Sequence, residues 1–436
     1  MQSATFSSGQ TSFLMPTLRE QLDPRHPLRL LAERMPWASF EEAFAELYSE
    51  EGRPAKPVRL MVSLLLLKQM FNLGDETVVA RWVENPYWQF LSGFEDFQWR
   101  LPCDPSDLVY FRQRIGEAGA QLLLAASAQL HGAAAQERTV VVDTTVQEKN
   151  ITHPVDSKLH LRVIGHCRRL AGKEGITLRR SYRRTVRKLR WQLRGGTSAK
   201  AIKRARRAQR RIKTIAGRLV RELGRKLPAG RHAEQLELYR RVLAQQRHDK
   251  DKIYSLHEPH VKCFGKGKAH KKYEFGNKVA LVVGAHSGII TAAESFEENL
   301  YDGRTLPAVL DQAEANIGRR PEVALVDRGF RGPRQVGETA IIMPQAEPWP
   351  ADKAGRQRRR RQNARRVSIE PRIGHLKSDF RLGRNFLRGV SGDAINVLLA
   401  CAASNLRKWL RVLTAFLLDL LRLLASLRSP SLQPAR

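Results

Sequence analysis

The order of apolar and polar residues predicts that the first third of the chain is helical. Residues 57–68 place apolar side chains at helical spacing, residues 72–74 break this pattern, and a second helix is predicted over residues 75–83. Two helices joined by a short glycine-containing turn are typical of a helix-turn-helix. A helical hairpin that merely packs is an equal alternative, because many all-α domains contain one. A further helix is predicted over residues 106–130.

From residue 139 onward, short apolar runs of strand length replace the helical pattern. Thr139–Val142 is a β-branched run predicted to end at Asp143, and Val323–Val326 is a second run predicted to end at Asp327. Residues 273–283 and 289–292 form a predicted hairpin. Further elements follow in the order helix 305–317, strand 339–343, and a helix carrying Glu370. This alternation predicts a mixed α/β sheet.

A strongly basic segment separates the first strand from the rest of the sheet. Residues 158–226 contain roughly two dozen Lys and Arg side chains against Glu174 and Glu222. Apolar residues between Ile202 and Leu223 recur at three- and four-residue steps, which predicts a folded helix with a core-facing stripe. The segment is therefore predicted to be a basic helical insertion over residues 158–250. A charge bias this large favours contact with phosphate over a merely solvated face.

Composition and charge indicate the class of binding partner and the cellular compartment. The 436 residues carry a formal net charge of +33, which makes nucleic acid the first partner to consider and an anionic membrane the second. The four cysteines form no CxxC pair, which fits a reducing compartment. Residues 1–16 show no signal-peptide pattern, and charges interrupt the leucine-rich stretch 410–427, so a cytoplasmic protein without a membrane span is expected.

The same patterns predict how the chain is organised into domains. We expect a polar arm over residues 1–25, a helical DNA-binding domain over residues 26–135, and a C-terminal helix and tail over residues 411–436. Between them, a catalytic core over residues 136–410 is expected to be interrupted by the basic insertion.

Three carboxylates are candidates for chemistry. Asp143 and Asp327 each follow a buried apolar run, and Glu370 follows a basic helical stretch. Carboxylates that converge would repel one another, and a hard divalent cation relieves that repulsion. Two such ions activate a water or a 3′-hydroxyl and stabilise the leaving oxygen of a phosphodiester. The alternatives are a strand-end cap for Asp143, a turn aspartate in a local ion pair for Asp327, and a surface helix charge for Glu370.

Several separated blocks together give the chain a family resemblance. Asp143–Ile151 with Pro154–Leu159, the block at residues 268–276, and Asp327–Gly332 resemble DDE transposases of bacterial insertion sequences, specifically the insertion sequence five group. The Tyr-Arg-Glu-Lys signature of that wider class is matched at three of its four positions, by Arg366, Glu370 and Lys377. Asn363 occupies the tyrosine position.

The resemblance implies an α/β catalytic core that is RNase H-like, of the retroviral integrase type, with an all-α domain before it. It implies that a metal-binding triad holds two Mg²⁺ or Mn²⁺ ions and that several basic residues contact DNA. The triad is Asp143, Asp327 and Glu370, and the resemblance implies that Arg366 and Lys377 contact the substrate DNA near the cut. Further predicted DNA contacts are Arg328, Lys68 and Arg81. The implied partner is double-stranded DNA, both terminal inverted repeats and target, bound by a homodimer in the bacterial nucleoid.

Three functions follow from these observations as hypotheses. The first is a DNA transposase that cleaves and joins DNA. The second is a non-catalytic DNA-binding protein, including a decayed transposase that represses its own element, for which Asn363 and the crowded arginines are the best support. The third is a related nuclease that cleaves and cannot join. The position of Pro371 adds one structural condition, because proline is tolerated there only when Glu370 lies in the first turn of its helix or before it.

Overall fold

A computed structural model of the chain describes residues 16–48, 54–194, 196–228, 230–265, 271–332, 334–344 and 350–428. The backbone forms two compact units. The first comprises residues 1–148 and 278–436, and the second comprises residues 149–277. No helix within the described ranges is long and apolar enough to cross a membrane.

In its described residues the first unit begins with seven α-helices. They are α1 (Leu18–Gln21), α2 (Pro27–Arg34), α3 (Trp37–Ala45), α4 (Val58–Met70), α5 (Asp75–Glu84), α6 (Pro86–Leu91) and α7 (Pro105–Gln129). Every residue of α4 from Leu60 to Met70 is buried, as expected for a helix at the centre of a packed bundle. Helix α7 bends at Gly116, whose φ of 60° lies in the left-handed region that favours glycine.

The predicted pair of helices around residue 74 is present as α4 and α5. Residues 1–15 of the predicted arm lie outside the described residues, and Leu18 and Leu22 of its remainder are buried.

A mixed sheet follows the helices. Its strands in the first unit are β1 (Thr139–Lys149), β3 (Tyr273–Gly284), β4 (Ile290–Phe296), β5 (Val323–Leu325), β6 (Gln335–Val336), β7 (Thr339–Ile342) and β8 (Arg384–Asn385). The order is β3-β1-β5-β7-β6, with β4 also paired to β3 and β8 to β1. Strand β1 runs parallel to β5, and β5 runs parallel to β7. The predicted hairpin is the antiparallel pair β3 and β4.

One strand differs from its prediction. Strand β1 was expected to end at Asp143, and it continues for six residues to Lys149. The extension has a physical reason in the sequence, because Thr144, Thr145 and Val146 are β-branched residues that suit extended backbone. Asp143 is therefore held within a strand rather than after one.

The remaining helices cover the sheet. They are α12 (Leu306–Ile317), α13 (Lys353–Val367), α14 (Ile369–Asp379) and α15 (Gly389–Arg428). Glu370 lies in the first turn of α14, which meets the condition set by Pro371. The C-terminal helix predicted from residue 411 is the second half of α15, and residues 429–436 lie outside the described part. Asn405 of α15 bonds both the N–H and the carbonyl of Ile290 in β4, which fixes the helix on the sheet.

The second unit, residues 149–277, contains the segment predicted as a basic insertion over residues 158–250. It contains α8 (Asp156–Lys173), α9 (Arg183–Gln192), α10 (Ala199–Lys226), α11 (Ala233–Ala244) and β2 (Lys262–Gly265), which pairs antiparallel with the first residues of β3. The unit has its own apolar core, which includes Val163, Ile212, Leu219 and Tyr239. The predicted apolar stripe on α10 is confirmed from Ala208 to Leu223, which face this core while the arginines face outward, but Ile202 at its predicted start is 44% exposed.

Candidate active site

Two aspartates lie side by side where β1 and β5 run in parallel. The last paired residues of the two strands are Val141 and Leu325, and Asp143 and Asp327 each follow two residues later. The same offset places the two carboxylates next to each other at one edge of the sheet, just past the carboxyl end of β5 and within the continuation of β1. This edge is where open α/β sheets usually bind ligands. Side chains alternate along a strand, so Asp143 points to the same face as Val141.

The environment of Asp143 disfavours its charged form. Burial raises the pKa of Asp143 to about 6, and the charges of Asp327 and Asp302 add to the rise. The backbone N–H of Thr144 donates to Asp143 Oδ1 at 2.7 Å, and this bond and the charge of Arg366 act in the opposite direction. Asp327 Oδ1 accepts a hydrogen bond from the N–H of Gly329 at 2.8 Å. The pair is thus a desolvated anionic site with cationic surroundings.

Asp302 is a third acid in this region, and the sequence did not predict it. Its Oδ1 accepts hydrogen bonds from Thr144 Oγ1 at 2.9 Å and from Lys278 Nζ at 2.7 Å. A Cβ atom built on Gly329 would lie 3.0 Å from Asp302 Oδ2 and 2.9 Å from Asp327 Oδ1. The absence of a side chain at Gly329 therefore allows the two carboxylates to approach. In the sequence, Asp302 before a helix reads as an ordinary cap, so no pattern signals its role.

Glu370 takes a different position. Its Oε1 accepts a hydrogen bond from Arg366 Nη2 at 3.0 Å, and 59% of its side chain is exposed. Among the residues that the structure describes, no three His, Cys, Asp or Glu side chains are close enough to hold a metal ion. Asp143 and Asp327 therefore come together in the structure, and Glu370 is paired with Arg366 instead. Ile369 and Leu376 of α14 belong to the same apolar core as Val141 and Leu325.

The face of α13 that carries Arg366 is unusually polar for a buried surface. Arg359, Asn363 and Arg366 follow one another at four and three residues, so they share one face of the helix. Asn363 Oδ1 and Arg366 Nε are buried atoms without a hydrogen-bond partner in the described part of the chain. Buried polar atoms of this kind call for an explanation such as a ligand or an ordered water.

The other predicted DNA contacts are distributed over the first unit. Arg328 is exposed in the loop after β5, and Lys377 is half-buried in α14, two turns from Glu370. Arg81 is exposed on α5. Lys68 lies in α4 and is buried, and its Nζ is 2.8 Å from Asp75 Oδ1.

Lys68 belongs to a buried ion cluster with Asp75 and Arg112. The guanidinium of Arg112 donates to both oxygens of Asp75 at 2.9 and 2.7 Å. Burial and, after it, the neighbouring charge of Arg112 lower the pKa of Lys68 to about 8. Burial acts against the charged form of Asp75, but the hydrogen bonds from Arg112 and the charge of Lys68 hold its pKa at about 2. In this conformation Lys68 joins α4 to α5 and α7, and its contact with DNA stays a prediction.

The carboxylates fit a hard divalent cation. Asp143 and Asp327 supply the oxygen ligands that Mg²⁺ and Mn²⁺ prefer. The raised pKa of Asp143 shows that its negative charge is poorly compensated by the protein alone. A cation between the two aspartates would supply that compensation. Lys278 already neutralises Asp302 by direct contact, so Asp302 is less suited to be a ligand.

Comparisons with known proteins give two domain matches and one relative. Residues 16–114 match the transposase domain family DUF772, and residues 244–406 match the transposase DDE domain family. Over 187 residues the chain is 47% identical to the uncharacterized protein ORF8 in the nfe locus of Rhizobium meliloti. The aligned residues make up 42% of this chain and 90% of that protein. No solved structure matches the chain. The DDE match includes Asp327 and Glu370, and Asp143 precedes it.

Proposed function

The chain belongs to the DDE transposases of insertion-sequence type, and we propose that it binds the terminal inverted repeats of an insertion sequence and catalyses metal-dependent DNA cleavage and strand transfer. The observation that carries the proposal is the parallel pairing of β1 with β5, which brings Asp143 beside Asp327 at the end of the sheet. A buried acid with a raised pKa next to a second acid is typical of a functional site.

Asp143, Asp327 and Glu370 would hold the metal, with two Mg²⁺ or Mn²⁺ ions expected. When bound, such ions activate a water or a 3′-hydroxyl and stabilise the oxygen that leaves the phosphodiester. Glu370 is largely exposed, so its carboxylate is free to turn away from Arg366 without breaking a packed contact. The peptide before Pro371 keeps Glu370 in the first turn of α14, where an acid also complements the helix dipole.

The basic residues of this unit would hold the substrate. Arg366 is buried beside the acids and has an unpaired Nε, which suits a fixed contact to a phosphate oxygen near the scissile bond. Arg328 follows Asp327 directly, and Lys377 shares a helix face with Glu370, so both lie within reach of the same DNA segment. No covalent enzyme intermediate is required, because a positioned water and then a 3′-hydroxyl serve as the nucleophiles.

Further parts of the proposal concern the architecture of the reaction. We propose that the sheet and its covering helices are an RNase H-like core of the insertion sequence five group, with α4 and α5 as the part that reads the inverted repeats. Arg81 is exposed on α5 and is the best placed of the predicted contacts in that pair. Two element ends must be processed together, so the active complex is proposed to be a homodimer.

The test compares two variants on DNA that carries the element's inverted repeat. Asp143→Asn keeps the shape of the side chain and removes its charge, and we expect it to bind this DNA as wild type does and to cut none of it in Mg²⁺ or Mn²⁺. Asp311→Asn is the matched control, because Asp311 is an exposed aspartate of the same unit that pairs with Arg320. Cleavage by Asp143→Asn at the wild-type rate would refute the assignment.

The same assay separates the other hypotheses. Binding of the repeat by wild type without any nick would favour a non-catalytic protein, for which the exposed position of Glu370 and the presence of Asn363 are the structural arguments. Cleavage without joining would favour a nuclease. The joining step is measured separately, with DNA ends that have been cut beforehand. Wild-type cleavage and joining, both abolished by Asp143→Asn, support a transposase.

A further inference from the structure

The second unit contains a cavity of about 690 Å³ whose polar lining consists of arginines and histidines. Five of its lining residues lie on α8, where positions 162, 165, 166 and 169 share one helix face. The start of α9 and the segment after α11 supply the rest. The charged and imidazole side chains that line the cavity are Arg162, Arg168, Arg169, Arg183, His166 and His257.

A second cavity, of about 380 Å³, adjoins the first. The two share Arg162, Gly165 and Arg168, and the second adds Lys158 and Arg190. Together they form a continuous surface around the middle of α8, which we call the α8 groove. The groove passes over Gly165, where a Cβ atom would meet no atom within 4 Å. This open space above a helix backbone lets a ligand approach closely.

The charges in the α8 groove are not balanced by acids in its own lining. Neither cavity is lined by an Asp or a Glu among the described residues. Burial lowers the pKa of His166, and the charges of Arg169, Arg162 and His257 lower it further, as expected where cations crowd together. Two contacts hold the groove in shape: Tyr239 Oη lies 3.0 Å from His166 Nδ1, and Arg162 Nη2 donates to Thr152 Oγ1 at 2.8 Å.

We propose that the α8 groove binds neighbouring phosphates of a DNA strand, as a second DNA contact of the protein apart from the acidic site. Guanidinium groups bind phosphate oxygens with paired N–H donors, which explains why arginine rather than lysine dominates the lining. A single free phosphate would occupy one cavity, whereas two adjoining cavities that share arginines fit an extended polyanion. That the polyanion is DNA rests on the proposed function.

The experiment introduces an acidic side chain into the α8 groove of the full-length protein. Gly165→Glu places a carboxylate in the open space, and Gly172→Glu makes the same change of charge on the same helix outside both cavities. Neither glycine has a positive φ, so both variants suit the helix. Binding is measured by fluorescence anisotropy on a duplex of about 30 base pairs without the inverted repeat, over about 50 to 200 mM salt.

We expect Gly165→Glu to weaken binding about tenfold or more and to reduce the slope of log K against log salt by about 1 to 2, with Gly172→Glu changing affinity less than about twofold. Equal losses for the two variants would mean that overall charge, not the groove, governs binding, and would overturn the proposal. Wild-type affinity in Gly165→Glu would overturn it as well. Inorganic phosphate that competes as well as DNA at equal phosphate concentration would exclude a strand as the ligand.

A second pair of variants protects the test against misfolding. Arg168→Gln with Arg169→Gln removes two groove cations, and Arg206→Gln with Arg207→Gln removes two exposed cations of α10 outside the groove. The first pair is expected to lower affinity and slope as Gly165→Glu does, and the second is expected to have a clearly smaller effect. These outcomes are independent of catalysis. Loss of cleavage in Asp143→Asn tests the acidic site, and loss of binding here tests the groove.

Discussion

The raised pKa of Asp143 predicts that the charged form of this acid lowers the stability of the folded protein. In the folded chain the pKa is about 6, whereas the ordinary value is 3.8. The folded state therefore holds the proton more tightly than the unfolded state does, and the free energy of unfolding falls as the pH rises from about 4 to about 6. Above about pH 6 the free energy of unfolding is lowered by the full amount. A difference of about two pKa units corresponds to about 3 kcal/mol.

Asp143→Asn should recover this free energy. The amide keeps an oxygen to accept the N–H of Thr144, and it carries no charge to repel Asp327. Without divalent metal, the variant should be more stable than wild type by about 3 kcal/mol at pH 8 and by about half of that at pH 5. A variant that cannot cut DNA would thus be the more stable protein, which is common where a site is built for chemistry.

Urea denaturation in EDTA, followed by tryptophan fluorescence at pH 5 and pH 8, measures the difference. Asp311→Asn is again the control, since Asp311 is 64% exposed, its ion pair with Arg320 contributes under about 1 kcal/mol, and its effect should not grow with pH. Added Mg²⁺ should raise the urea midpoint of wild type and leave that of Asp143→Asn nearly unchanged. Equal stability of wild type and Asp143→Asn at pH 8 would refute the electrostatic reasoning.

Three further predictions concern neighbouring parts of the first unit. Gly329→Ala should reduce cleavage at least tenfold with little loss of stability, because its Cβ would press on two carboxylates of the site; an unchanged cleavage rate would contradict the close approach. Asp75→Ala should lower the free energy of unfolding by about 3 to 5 kcal/mol, because it leaves Lys68 and Arg112 buried without their anion, and urea denaturation checks this. Arg81→Ala should weaken binding of the inverted repeat without changing stability, and gel-shift titration together with urea denaturation checks both expectations.

The sequence was a good guide to elements whose local pattern is strong. The apolar spacing of residues 57–68 and the break at residues 72–74 predicted α4 and α5, and the two short apolar runs predicted where β1 and β5 begin. Local pattern was a poor guide to the end of β1, because Asp143 interrupts the apolar run while the backbone stays extended through Thr144 and Thr145. A carboxylate inside a strand is unfavourable by propensity, and tertiary packing overrides that preference here.

What the sequence could not provide is the set of contacts between distant residues. Thr144 and Lys278 meet at Asp302, and none of the three stands in a pattern that indicates the other two. Lys68 was predicted as a DNA contact, and the local pattern gave no sign of its burial, which follows from the packing of α4 on every side. The α8 groove likewise depends on how α8, α9 and the segment after α11 pack, although the charge bias of the insertion could be read directly.

The two faces of β1 differ in a way that bears on how the strand finds its register during folding. Val140 and Val142 pack toward α12, whereas the opposite face carries Val141 between Thr139 and Asp143. Sliding β1 by one residue would exchange these two faces. The slide would turn the carboxylate of Asp143 toward the apolar layer under α12. An acid that lowers the stability of the folded protein can in this way also penalise a misaligned sheet.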